Sequence, residues 1–459
     1  MVRYGVAITP LARERATADG ECMQELIVVE KSGPLSGEVM LHGAKNATLV
    51  MMAALLTARG VSRLYNVPNI ADVHIMIKVL AAVGVTATYD AATKTLTVDA
   101  THVVAQTVPA ILMQQMRASI LVMGSLLARI GYASVGLPGG DAIGKRPIDF
   151  HLKAFRKMGA TVIEQGDMVI AEVAQLKPCR IALEYPSVGA TENIILAALG
   201  TVGRTTIINA ALEPEVTDLI ALLITMGAHI TIEVPATIHI DGGALLHPTD
   251  YTVMPDRLEA GSLLLATAVT GGELSLPNAR PETMDLFLAK LEEMGHAIVT
   301  DGSGLGLRFI AHRYPYAVSI KTAPYPGFPT DLQAPMSAAQ LIAQGMSVIE
   351  ETVFENRLQH ISELQKMGAR AHCETPSKAL IAGGHRLIGA DVVASDIRAS
   401  LALVLAGFVA EGTTRIAGVH HWRRGYADLE LTLARLGAPI RIEKETIPFN
   451  TEPIPTVVV

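Results

Sequence analysis

ATENIILAALGTVGRTTIINAALEPEVTDLIALLITMGAHITIEVPATIHIDG, residues 190–242, carries in one copy the structural logic of a 459-residue chain. Its opening, ATENIILAALGTVG (190–203), is an apolar helix pattern that closes on glycine, which takes the left-handed cap of a helix without steric cost. RTTIINA (204–210) is rich in β-branched residues and predicts a strand. EPEVTDLIALLITMGA (213–228) has helical spacing and begins with acids, which suit the positive end of a helix dipole. HITIEV (229–234) and TIHIDG (237–242) alternate apolar and polar residues, as half-buried strands do.

The same order recurs six times at a period of about seventy residues. Each copy ends on a glycine, at Gly84, Gly159, Gly227, Gly295, Gly368 and Gly437, and an earlier glycine precedes each, at Gly60, Gly131, Gly203, Gly271, Gly345 and Gly412. The interval between the two marks is 23 to 25 residues in five copies and 28 in the second. That surplus is LPGGDAIGKRP, residues 137–147. Such a unit buries its helices only against neighbouring units. The chain also exceeds what one hydrophobic core supports, so two domains of three copies each are expected, with a seam near TVMPDRLEAG (252–261) and a ligand site between them.

Composition narrows the function. Half the residues are hydrophobic and 18% are charged, as in a well-packed globular protein. A net charge of -7 and only 4% aromatic residues argue against nucleic-acid binding, which favours basic surfaces and stacking platforms. The longest apolar runs, such as Leu401 to Ala410, are about half a membrane span, and the N-terminus lacks the apolar core of a secretory signal. Cys22, Cys179 and Cys373 form neither a disulfide framework nor a metal-type pair. A cytoplasmic protein with no membrane association, cofactor or metal is the expectation.

Charges sit where packing does not require them. Lys45 and Asn46 open an otherwise apolar helix pattern, HGAKNATLVMMAALL, where free backbone N–H groups and a cation suit a phosphate or carboxylate. Comparable openings hold Arg117, Asp256 with Arg257 and Glu259, Asp331, and Asp396 with Arg398. Arg117 and Arg398 oppose the helix dipole, so some other interaction must keep them. Inter-helix loops add Arg146, Arg357, Arg423 and Arg424. Singly, each is equally well a cap or a solvated charge; Asn46 reads as a plain cap and Lys45 as a surface lysine. Converging on a cleft, they would hold a polyanion, because the guanidinium fork matches carboxylate and phosphate oxygens. The glycine-rich surplus 137–147 reads as a mobile lid carrying one working carboxylate, Asp141, and is not a Walker loop. His420 and His421 have no acidic neighbour in sequence, and no nucleophile elbow or zinc motif occurs.

HGAKNA, MRAS, LPGGDAIGKRPIDFHL, PSVGATEN, PDRLEAG, FPTDLQA, TVFENR, SDIRASLALVLAG and RRGY, in that order from about Met23 to Leu436, resemble the UDP-N-acetylglucosamine 1-carboxyvinyltransferase family. No single motif suffices, but the ordered set is specific. The resemblance implies an α/β fold of two inside-out α/β barrel domains, each of three βαβαββ-type units. It places the domains at 46–254, with the lid, and at 23–45 plus 255–459, and leaves 1–22 as a disordered extension, with MQELIVVEKSGPLSGEV as an opening strand pair. It also implies transfer of the enolpyruvyl group of phosphoenolpyruvate (PEP) to the 3-hydroxyl of UDP-N-acetylglucosamine with release of phosphate. Lys45, Arg146 and Arg424 would bind PEP, with Asn46 and Arg117 close by. Arg146, Pro147, Ile148, Asp149 and Phe150, together with Ser187, Val188, Gly189, Asp331 and Val353, would line the nucleotide-sugar site. Asp331 would be the base for the sugar hydroxyl, and Asp396 and Arg398 would hold the cleft closed. Arg357 joins the substrate-binding cations.

The chemistry asks for these residue types. Adding an alcohol across an enol ether needs a base for the hydroxyl proton and an acid for the PEP methylene carbon; elimination then reverses the flow. Arg and Lys neutralise the two anionic reactants. Two departures from the family stand out. Asp141 occupies the place of the lid cysteine that fosfomycin alkylates, which predicts insensitivity to that epoxide. As an acid, Asp141 would be raised by the phosphate of PEP and lowered by Lys145 and Arg146, a balance the sequence leaves open. Tyr185-Pro186 stands where the family often has a lysine near the nucleotide phosphates. The related shikimate-pathway synthase and a non-catalytic sensor of the same ligands remain alternatives.

Overall fold

The computed structural model describes residues 21–300, 302 and 304–448; the expectation of a disordered extension falls on residues outside this range, except for Glu21 and Cys22. The copy that opens the sequence analysis shows why the fold forms. Ser187 caps the helix Val188–Ala198, accepting from the Ala190 amide at 3.4 Å, and every residue from Ala190 to Ala198 is buried. A helix apolar all round has no solvent face, so it becomes the centre of the structure and the sheets lie outside. Gln333–Gln340 and Ile397–Val409 pack on each other and on Arg257–Thr270 in the same way.

Each copy contributes a four-stranded sheet. In the third, the short strand Arg180–Ala182 runs parallel to Gly203–Ile208, which pairs antiparallel with Thr237–Gly242, and that strand with His229–Glu233. The parallel pair is joined through the buried helix, as parallel strands require. Alternation puts Ile207, Ile238 and Ile240 against the helices and leaves the intervening residues toward solvent. Six such sheets form among the described residues, and they remain six separate sheets and close no continuous barrel.

All twelve glycine marks have positive φ, from 69° to 123°. Their roles are not uniform. Gly131 and Gly271 are left-handed caps of Val122–Ile130 and Arg257–Thr270. In the third copy the helix stops at Ala198, and Gly203 instead opens the next strand at φ 120°.

The repeat does not run cleanly along the chain. The expected opening strand pair is two strands in different sheets. Glu21–Glu30 lies between Thr413–Ala417 and Ile440–Pro448, while Ser36–Glu38 pairs parallel with Glu273–Leu276. The sheet of the first copy takes its parallel edge from Asp250–Thr252. Two hydrophobic cores result, one gathering residues from Ala44 to Met254 together with Ala427, the other from Ile27 to Leu41 and from Leu258 to Ile440. The chain crosses between them twice, and the crossings lie side by side. Ala44 donates to the Met254 carbonyl at 2.7 Å and Asp256 to that of His42 at 2.8 Å. No helix among the described residues is long and apolar enough to cross a membrane.

Candidate active site

A cavity of about 470 Å³ opens beside this double crossing, lined by both cores and by the lid. The crossing aims its first residues. Asp256 caps Arg257–Thr270 through the Leu258 and Glu259 amides at 2.7 and 3.2 Å, and its other oxygen accepts from the Lys45 amide at 3.1 Å. Lys45 is only 9% exposed, and its Nζ lies 2.9 Å from Asp72 Oδ2, so it is not a solvated surface lysine. Asn46 is not the cap either: Ala44 occupies that position without a side-chain bond, and Asn46 lines the cavity.

Arg424, on Val419–Gly425, is the hub of one end of the cavity. Its Nε lies 2.9 Å from Asp72 Oδ1 and its Nη1 2.6 Å from Asp141 Oδ1. The loop 137–147 is docked on the second core. The Asn356 amide donates to the Ile143 carbonyl at 3.0 Å, and the Asn356 and Gln359 side chains donate to that of Ala142 at 3.2 and 3.3 Å. Burial alone would raise the Asp141 carboxyl, but His421, Arg424 and Lys45 outweigh it and hold the group well below the usual carboxylate range. His421 and Lys45, not Lys145, are the partners that join Arg424. His421 Nδ1 stands 3.6 Å from Asp141 Oδ1, so the histidine without an acidic neighbour in sequence has one in space.

At the other end, Asp331 is gripped by two arginines, Arg357 at 2.7 Å and Arg398 at 2.9 Å. Burial opposes its charge, yet Arg398 and Arg357 keep it firmly ionised. This explains an arginine at an unfavourable helix start: the ion pair and a bond to the Tyr426 hydroxyl at 3.1 Å hold Arg398. Arg357 also donates to Thr330 Oγ1 at 2.7 Å, and Thr330 to the buried Glu351 at 2.7 Å. The Arg146 and Arg357 guanidiniums both lie over the Phe354 ring, at 5.4 and 5.3 Å, tying the lid's base to the second core.

Of the expected site residues, Lys45, Asn46, Arg117, Asp141, Arg146, Pro147, Phe150, Ser187, Val188, Gly189, Asp331, Val353, Arg357, Arg398 and Arg424 line this one cavity. Ile148, Asp149 and Asp396 do not. Ile148 is buried in the first core and Asp149 pairs with Lys153 at 2.9 Å. Asp396 caps its own helix through the Arg398 and Ala399 amides at 2.8 and 3.0 Å, so its bonds stay inside the second core. Arg117 donates to the Pro147 carbonyl at 2.8 Å, and burial and Arg146 bring its guanidinium down to about 10.

Sequence reasoning missed Asp72, Glu192, Glu215, Arg257 as a site residue, and His151. Glu215 holds Arg257 in a two-point pair at 3.0 and 3.1 Å across the two cores. Glu192 is 4% exposed on the same wall, and burial beside Glu215 and Glu213 raises its carboxyl well above normal. His151 Nδ1 accepts from the Asn193 side chain at 2.9 Å, and burial keeps the ring neutral, down to about 3. Each of the six second helices has an acid in its first turn, namely Asp72, Asp149, Glu215, Asp285, Glu363 and Glu430. The dipole accounts for all six from sequence; burial singles out Asp72 and Glu215.

Cations thus face acids in a cleft between two helix-centred cores, and the fold is that of the enolpyruvyl transferases. The family model described as EPSP synthase (3-phosphoshikimate 1-carboxyvinyltransferase) matches residues 29–433. UDP-N-acetylglucosamine 1-carboxyvinyltransferase 1 of Caldanaerobacter subterraneus subsp. tengcongensis is 45% identical over 418 residues, 91% of this chain and 99% of that protein. The UDP-N-acetylglucosamine 1-carboxyvinyltransferase of Gloeobacter violaceus is 43% identical over 439 residues, 96% of this chain and 95% of its own length. Among solved structures, the enolpyruvyl transferase NikO from Streptomyces tendae superposes with a TM-score of 0.83 at 27% identity, covering 94% of this chain and all of that one. EPSP synthase from Acinetobacter baumannii shares the fold at TM-score 0.70 and 18% identity, over 92% of this chain and 100% of its own. The chain belongs to the UDP-N-acetylglucosamine 1-carboxyvinyltransferase family.

Proposed function

We infer that the chain transfers the enolpyruvyl group of PEP to the 3-hydroxyl of UDP-N-acetylglucosamine and releases phosphate, the opening step of peptidoglycan synthesis, in the cytoplasm and without a cofactor. The observation that carries this reading is the single cavity in which Lys45, Arg424 and Asp141 face the Asp331–Arg357–Arg398 group. Lys45 and Arg424 are already neutralised by Asp72 and Asp141, so arriving PEP takes over cations that these carboxylates hold. Asp331, ionised between two arginines, accepts the sugar hydroxyl proton as the oxygen adds to C2 of PEP. Asp141, from the lid, protonates the methylene carbon and takes that proton back as phosphate leaves. The two cores act as lobes that close on both reactants and exclude water. Tyr185 supplies no charge to the diphosphate. Arg117, Arg146 and the amide end of Val188–Ala198 are its cationic and dipolar partners.

The test is phosphate release from PEP with each acceptor in turn. Release with UDP-N-acetylglucosamine and not with shikimate 3-phosphate is the expected result. Release with shikimate 3-phosphate alone, or with neither acceptor, would replace this reading by the synthase or the sensor.

A further inference from the structure

We propose that His421 is a positioning residue that hands Asp141 its proton and receives it back, so that the lid aspartate works as half of a carboxylate–imidazole pair. The inference rests on the reading of Asp141 as the acid. It begins from a difficulty: an aspartate bonded to Arg424 at 2.6 Å holds no proton to give. A thiol in this place would bring its own hydrogen; an ionised carboxylate must be supplied.

The structure places a supplier beside it. His421 Nδ1 is buried, makes no hydrogen bond, and lies 3.6 Å from Asp141 Oδ1. That gap exceeds a hydrogen bond by about 0.7 Å, a small rotation of either side chain. The His421 side chain keeps 17% of its surface exposed, which gives the ring access to solvent protons. Its neighbour His420, with ring centroids 4.0 Å apart, is taken out of competition: burial, His421 and Arg424 hold it neutral, down to about 4.

Other charges near the pair are few. Val419–Gly425 packs on Ala71–Ala82, Ile397–Val409 and Glu21–Glu30. From these, Asp72 is bound to Arg424 and Lys45, Arg398 to Asp331, and Glu25 to Arg423. His74 is bonded to Asn69 at 2.8 Å, and Glu30 to Arg441 at 3.1 Å. Lys78 is the remaining cation of Ala71–Ala82 and Asp141 the carboxylate that faces His421.

Substrate itself throws the switch. When the phosphate of PEP takes Arg424 and Lys45, Asp141 loses its cations, gains a dianion as neighbour, and its proton affinity rises. The His421 Nδ1–H bond breaks and an O–H bond forms on Asp141. That proton passes to the PEP methylene carbon while the sugar oxygen bonds to C2 and its hydroxyl proton moves to Asp331. In elimination the methyl C–H breaks, its proton returns through Asp141 to His421, and the C–C double bond reforms. The C2–O bond breaks with its electron pair on phosphate, which leaves with the proton from Asp331.

The experiment measures kcat and PEP KM against pH, and deuterium exchange at PEP C3 in D2O, for wild type, His421→Gln, His421→Ala with added imidazole, and Asp141→Asn. His421→Gln should lower kcat by about 10- to 100-fold and slow C3 exchange in parallel, leaving PEP KM within about twofold. The wild-type fall of kcat toward high pH should vanish in His421→Gln, and imidazole should restore His421→Ala. A His421→Gln enzyme with the wild-type profile and exchange overturns the proposal. So does one that loses kcat with an unchanged pH limb and no imidazole rescue, which marks a structural role. If Asp141→Asn also exchanges C3 hydrogen at the wild-type rate, the acid reading of Asp141 fails instead.

Discussion

At position 141 the chain presents a carboxylate to the cavity, bonded to Arg424 at 2.6 Å. Asp141→Asn keeps the shape and removes the titrating group, so turnover by phosphate release should fall by about 100-fold or more. Asp141→Cys puts in the thiol nucleophile that the sequence resemblance leads one to expect at this place. Fosfomycin should inactivate that variant progressively and leave the wild type untouched; inactivation of the wild type would place the alkylated group elsewhere. Glu192 gives a second prediction with a definite sign. Its folded carboxyl is raised above the unfolded value, so its protonated form contributes stability that is lost as pH rises through the folded value. Glu192→Gln should therefore raise the urea midpoint at alkaline pH and change little near about pH 4. From sequence, Glu192 was one of three consecutive polar residues, Thr191 to Asn193, in an otherwise apolar helix, and nothing there distinguished a cavity wall from a buried core.

At the scale of elements, the double crossing between the cores leaves the backbone no room for a side chain at its first pass. A Cβ on Gly43 would lie 2.0 Å from the Asn66 carbonyl oxygen, a backbone atom that cannot swing away. Gly43→Ala should cost about 2–4 kcal/mol in urea unfolding. Gly33→Ala, whose Cβ would meet nothing within 4 Å, should stay within about 0.5 kcal/mol of wild type. The Arg257–Glu215 pair bridges the cores nearby, with both side chains less than 10% exposed. Arg257→Met strands a buried carboxylate and should cost about 3–5 kcal/mol, while the double variant with Glu215→Gln should recover much of the loss. The motif PDRLEAG marked Arg257 as an oddly placed charge; its partner lay 42 residues away and was invisible without the fold.

Across the whole molecule, three buried imidazoles set the acid limit. Burial is the leading cause for each, bringing His151 down to about 3 and His296 and His360 to about 4. A lowered histidine contributes stability that is full above its unfolded value near 6.5 and is lost as pH falls toward the folded one. Their joint contribution, read by urea titration as the difference between wild type and the triple variant His151→Gln, His296→Gln, His360→Gln, should be level above about pH 6.5 and decline below it, each site adding about 1.4 kcal/mol per pH unit to the slope. A flat profile from about pH 7 to about pH 4 would show that these rings are charged when folded. The chain by itself determined the repeated unit, its six copies, the surplus loop at 137–147 and most of the cation set. Periodicity and glycine punctuation are local, and a surplus is visible against its own repeat. Tertiary structure alone decided which of six equivalent helix-start acids matter, that Glu21–Glu30 and Ser36–Glu38 enter different sheets, that Asp396 turns inward as a cap, and that His421 meets Asp141. Each of those depends on groups far apart in sequence sharing a buried space, where desolvation makes a partner obligatory; no local pattern encodes which partner that is.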